Sequence, residues 1–300
     1  MNRVLLMCVI LILFFSCTSS EPARAKLPGT SAPDADVPSA CGAILKYPVV
    51  LAHGIFAHDR DGIIEFWGRI PDVLRSMGVK VYLGNTDAWS RYETSAEVLK
   101  QTIDRVLIET NSEKVNIIAH SKGGIDSRYL IWKYDYGDKV ASLTTISTPH
   151  HGAELADLIF RFDIIHTNEV KRALEIFGEL YGDTNPDLYN LNYQLTTAHM
   201  KEFNEIVLMD SNVYCQSIYT TMRNRFDDMM FFYSFGYIKF VGGANDGVVS
   251  EASAQWSDNI KKIEGISHAE IVDYKLRKIS GMYIPDIYVD IVRDLGERGF

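Results

Sequence analysis

Val115-Asn116-Ile117-Ile118-Ala119-His120-Ser121-Lys122-Gly123-Gly124 decides how the chain is read. An apolar run without polar alternation has the pattern of a strand buried on both faces, and it passes straight into a helical pattern through small residues. A sharp strand-to-helix turn of this kind strains the backbone of its central residue and projects that side chain above the sheet. The sequence therefore points to Ser121 as a nucleophile on an elbow, with Ala119 where the usual pentapeptide has its first glycine. The rival reading is an ordinary serine at a strand-helix junction.

Working outward, similar apolar runs at residues 47–52, 79–83 and 140–146 read as further central strands. Helical spacing fills residues 63–77, 95–109 and 123–134 between them. Strands alternating with helices predict an open, mostly parallel, doubly wound sheet. The stretch 152–208 breaks the alternation: it is helical in pattern and long, as expected of an insertion that packs over the sheet edge or covers a site. Strand-like aromatic runs return at 230–235 and 237–241, and residues 284–295 read as a closing helix.

A serine hydroxyl needs a base, and the base needs a partner that fixes its tautomer. Where an elbow serine works with an acid and a histidine, the chain order is serine, acid, histidine. Of the histidines after Ser121, only His268 lies near the C-terminus before the closing helix. Asp246, in Asn245-Asp246-Gly247, precedes it, and its rival reading is a plain turn aspartate. The backbone N–H groups of Ile55, after the glycine turn that ends the first strand, and of Lys122 are the expected oxyanion donors. His53 precedes nucleophile and acid and is read as structural, and His150-His151 as shaping the floor of the pocket. No histidine set has zinc spacing.

The remaining composition narrows the class. Three hundred residues, 47% hydrophobic, suit one large domain, and a formal charge of −9 without a basic cluster excludes a nucleic-acid partner. Residues 1–16 have the form of an export signal, because the apolar run 4–15 is too short to span a bilayer. Leu13-Phe14-Phe15-Ser16-Cys17 is similar to a loose lipobox, so a lipid anchor at Cys17 and a tether over 17–45 are expected, with simple secretion or a periplasmic location as the alternative. The domain then covers 46–300. Cys41 and Cys215 either pair in the oxidising compartment or stay as separate thiols. Oligomeric state has no signature in the sequence.

With these motifs in place, the sequence resembles the secreted triacylglycerol lipases of the Pseudomonas and Burkholderia type, family I. The resemblance rests on residues 47–54, 114–121, Thr144 to Ala156 and Asn245-Asp246-Gly247-Val248-Val249. It implies an α/β-hydrolase fold, a Ser121-Asp246-His268 triad, oxyanion donors at Ile55 and Lys122, and a lid within 152–208. The expected activity is hydrolysis of lipid esters through an acyl-enzyme. The alternatives are a soluble short-chain carboxylesterase, an acyltransferase using the same residues, and an inactive membrane-tethered lipid-binding protein. No cofactor is expected. The family's structural calcium would fall near Glu270 and Asp273, but their spacing does not reproduce its pattern. The family disulfide has a cysteine near Cys215, whereas its partner position holds residues such as Ala252.

Overall fold

The computed structural model describes residues 45–55 and 66–300. The stretch read as an export signal, Cys17, the expected tether up to residue 44 and Cys41 lie outside the described residues, and any pairing of Cys41 falls there too. Cys215 is a free thiol, and burial pushes it up to about 12. Among the described residues, no helix is long and apolar enough to cross a membrane.

Among the described residues, six parallel strands form one sheet in the order β2-β1-β3-β4-β5-β6: β1 (Val49–Ala52), β2 (Val81–Leu83), β3 (Val115–His120), β4 (Val140–Ile146), β5 (Tyr214–Thr221) and β6 (Ile260–Glu264). Alternation along the central strands sends side chains to two faces. Val49, Leu51 and Ile118 join one core with α1 (Ile70–Ser76) and the closing helix α10 (Ile284–Glu297). Val50, Ala52, Ile117 and Ala119 join the other, against α2 (Tyr92–Thr110) and α3 (Lys122–Tyr134). Each fully buried aliphatic side chain in such a core contributes about 1.5–3 kcal/mol relative to exposure, which is why the continuous apolar runs occupy the middle of the sheet.

From β1 the chain moves to β2 on one side and then crosses back to β3 on the other. At such a reversal open α/β sheets bind ligands in the crevice outside the carboxyl ends of the strands. The helices α4 (Glu154–Phe160), α5 (Asn168–Tyr181), α6 (Leu188–Gln194) and α7 (Thr197–Ile206) make up the insertion. Its α5–α6 turn is tied to the loop after β2, because the Asp183 carboxylate accepts from the N–H groups of Ala88 (3.2 Å) and Trp89 (2.6 Å).

Several element boundaries differ from the sequence expectation. The strand expected from 47 begins at Val49, because Pro48 has no N–H to give the ladder. The strand expected from 79 begins at Val81, since the Val79 N–H instead closes the end of α1 on the Leu74 carbonyl (3.2 Å). The helix expected over 63–77 is described as Ile70–Ser76, with residues 56–65 outside the description.

The larger correction concerns 230–241. No strands form there: a 3-10 turn at Met229–Phe231 leads into helix α8 (Phe232–Val241). Phe-Tyr-Ser-Phe-Gly-Tyr-Ile-Lys-Phe-Val is apolar on nearly every side, so it carries neither period, and aromatic content alone favoured a strand. Asp246 therefore follows a helix and precedes the short α9 (Glu251–Ala254). The strands that flank its loop are β5 and β6, which the sequence reading missed. β6 (Ile-Lys-Lys-Ile-Glu) is an exposed edge strand whose charges deter further pairing, and β5 mixes polar residues into its run.

Candidate active site

Ser121 sits between β3 and α3 with φ 53° and ψ −128°, a left-handed backbone that a non-glycine residue holds only under constraint. Its N–H donates to the Ile146 carbonyl at the end of β4 (2.9 Å), and its carbonyl accepts from Gly124 N–H (3.0 Å). The small neighbours are steric necessities. A Cβ on Gly54 would lie 2.7 Å from Ser121 Cβ. One on Gly123 would overlap the Ala52 carbonyl, and one on Gly124 the Thr148 side chain.

The structure brings Ser121, His268 and Asp246 together. His268 Nε2 lies 2.9 Å from Ser121 Oγ, and His268 Nδ1 lies 2.8 Å from Asp246 Oδ2. A carboxylate can only accept, so Nδ1 donates and Nε2 of the neutral ring accepts from the serine hydroxyl. Asp246 is held in turn: its Oδ1 accepts from Val248 N–H (3.0 Å) and Val249 N–H (2.8 Å), and its carbonyl accepts from His268 N–H (2.9 Å). The loop is tied to β5 through Met222 N–H and the Asn245 carbonyl (2.8 Å). All three side chains are buried.

His120 stands behind His268, with ring centroids 4.6 Å apart, and donates from Nε2 to the His268 carbonyl (3.0 Å). Burial, reinforced by the neighbouring His268 ring, pushes His120 well below its usual range. It is therefore a neutral spacer. The sequence reading gave it no role, and its position inside the elbow motif was the available signal.

Of the expected oxyanion donors, Lys122 is the first residue of α3, where backbone N–H groups lack partners within the helix. Its side chain is buried between α2 and α3, with Nζ 2.8 Å from Asp126 Oδ2 and 2.7 Å from Ser95 Oγ. Burial raises Asp126 to about 6 against the pull of Lys122. Only the Lys122 backbone thus remains to serve the crevice. Ile55 follows Gly54, which touches Ser121, at the end of β1.

His53 and His150 are accounted for by packing. His53 bonds the carbonyls of Gly54 (2.6 Å) and Thr86 (2.9 Å). His150, read as pocket floor, is fully buried: it stacks on Trp256 at 4.5 Å and bonds Arg128 (3.2 Å) and Thr145 (3.0 Å). It is thus core, while His151 is exposed.

The residues do not fit the family's calcium. Calcium takes six to eight oxygens, and the carboxylates near His268 already carry cations of the chain itself. Asp273 accepts from Arg69 through Nε (2.7 Å), Nη2 (2.6 Å) and the backbone N–H (3.0 Å), and Glu270 is paired with Lys275 (2.6 Å). Among the described residues, no group of three or more His, Cys, Asp or Glu side chains is gathered for a metal. Lys275 had no signature in the sequence, because it meets its partners through an irregular loop.

The family model described as palmitoyl protein thioesterase matches residues 48–266. The chain is similar to a triacylglycerol lipase of Pseudarthrobacter phenanthrenivorans, 33% identical over 54% of this chain and 54% of that protein. It is similar to triacylglycerol lipase 2 of Saccharomyces cerevisiae, 29% identical over 79% of this chain and 75% of the yeast protein. The chain therefore spans only about half the length of the bacterial relative. The crystal structure of Staphylococcus hyicus lipase superposes with a TM-score of 0.68 at 19% identity, covering 85% of this chain and 96% of that one. At that identity the likeness speaks for the fold, which is the α/β-hydrolase fold.

Proposed function

Since the chain belongs to the palmitoyl protein thioesterase family, we propose that it is a serine hydrolase of lipid carboxylic esters, working through an acyl-enzyme on Ser121. The observation that carries this reading is the relay of 2.9 Å and 2.8 Å from Ser121 through His268 to Asp246, mounted on a strained serine. Ser121 Oγ attacks the ester carbonyl while His268 Nε2 takes its proton. The same proton passes to the leaving alcohol as the tetrahedral species collapses. The N–H groups of Ile55 and Lys122 hold the oxyanion. Water then repeats the sequence in reverse and frees the acid.

Triacylglycerols are the favoured substrate class, after the triacylglycerol lipases to which the chain is similar, and long acyl chains are the form expected to be cleaved best. The family's name adds a second reading, thioesters of the same acyl chains, which the same machinery would cleave. Exposed apolar side chains support both. Tyr233 and Phe240 on α8 are 78% and 89% exposed, while in the proposed lid Ile165 and Leu174 are buried and Phe162 and Ile176 are exposed.

Ser121→Ala is expected to lower turnover of p-nitrophenyl esters by orders of magnitude with the fold retained. A rate equal to the parent's would remove the assignment. A chain-length series in matched oxygen-ester and thioester form, on the same preparation, decides between the two substrate readings. The short-chain esterase alternative predicts an optimum at acetyl or butyryl and no rise when substrate forms droplets.

A further inference from the structure

His268 lies outside the strands and α-helices, in the connection between β6 and α10 just before a 3-10 turn at Glu270–Val272, so its place is set by whatever holds its neighbours. Ser267, immediately before it, is gripped twice. Its N–H donates to Glu270 Oε2 (3.0 Å), and its hydroxyl donates to Asp228 Oδ2 (2.7 Å). Glu270 N–H donates back to Ser267 Oγ (3.2 Å). Both carboxylates are buried, and both converge on one serine. Two such charges repel unless a cation lies with them. Lys275 supplies it: Nζ is 2.6 Å from Glu270 Oε1 and 3.1 Å from Asp228 Oδ2.

We propose that Lys275 is a positioning residue for His268, its ammonium joining Asp228 to Glu270 and so locking Ser267, in the role that the lipase resemblance gives to a structural calcium ion. The inference rests on His268 being the catalytic base. Asp228 also opens the turn that leads into α8, accepting from Met230 N–H (3.2 Å), so the same ammonium ties the base of that helix to the histidine loop. Arg69 on Asp273 makes a second clamp a few residues on, again with a cation of the chain. A tethered ammonium neither dissociates nor responds to chelators. The site is thus assembled whatever the calcium concentration outside the cell.

The test compares Lys275→Met and Lys275→Arg with the parent chain, with and without chelator, in steady-state hydrolysis of a soluble p-nitrophenyl ester. Ser121→Ala is measured in parallel. Residues that orient catalytic groups from behind typically affect activity about 10- to 100-fold, and a fall of that size in kcat with little change in KM is expected for Lys275→Met. Lys275→Arg, which keeps the charge, should recover most of it. Parent activity should not change with chelator or added calcium.

Parent-like kcat in Lys275→Met, equal loss in Met and Arg variants, or parent activity abolished by chelator and restored by calcium would each overturn the proposal. Should Lys275→Met not fold by circular dichroism, Lys275→Met with Glu270→Gln, which removes one charge of each sign, is judged by the same kcat criterion. An active Ser121→Ala would instead sink the reading of the site itself, so the two failures are distinguishable.

Discussion

Asp246 makes every bond its carboxylate needs to hold one orientation: two backbone N–H groups on Oδ1 and the imidazole on Oδ2. Asp246→Asn keeps the size and the backbone bonds but turns an N–H₂ toward Nδ1. The ring must then carry its proton on Nε2, facing Ser121, where it can no longer accept. Turnover is expected to fall about 10⁴-fold, while thermal unfolding stays near that of the parent. A fall below tenfold, measured by steady-state kinetics, would mean that the carboxylate does not set the tautomer. Ser121, Asp246 and His268 were legible as residues because motif, chain order and glycine turns each leave a mark in the sequence. Lys275 and Asp228 were not, since their roles arise from loops that meet only in space.

At the scale of elements, α8 is where local sequence misled. Its aromatic content suggests strands, yet no strand among the described residues pairs with this segment, and a helix satisfies its backbone groups internally. Phe235 and Ile238 are buried and the Phe235 carbonyl accepts from the Asn245 side chain next to Asp246, while Tyr233 and Phe240 are exposed. Phe240→Ser is therefore expected to leave stability within about 0.5 kcal/mol, as surface changes do. It should lower hydrolysis of aggregated long-chain esters while sparing dissolved short ones. Equal rates on both substrates, compared with the parent, would show that this surface does not meet lipid. β6 was missed because an edge strand is recognised by its partner and the charges of Ile260–Glu264 hide its pattern, and β5, paired on both sides, because polar residues interrupt its run.

Across the whole molecule, buried histidines couple stability to pH. His120 and His150 are pushed well below their usual 6.5 by burial, so below that pH the unfolded chain takes up protons that the folded chain refuses. Stability is present above 6.5 and is lost as the pH falls, at about 1.4 kcal/mol per pH unit for each such proton. Asp126, raised to about 6, acts in the opposite sense and offsets one of the two. The melting temperature is thus expected to drop between pH 7 and 5, and less steeply in His150→Gln. A flat profile in the parent would contradict the burial of these rings. The layered α/β architecture and the elbow that carries Ser121 were determined by the sequence itself, because strand runs, helical spacing and the elbow are local patterns bound by backbone sterics. The fold of 230–241, the strands β5 and β6 and the ammonium of Lys275 were decided only by tertiary structure. There, hydrogen-bond partners and charge neutralisation come from residues far apart along the chain, and no local pattern encodes who meets whom.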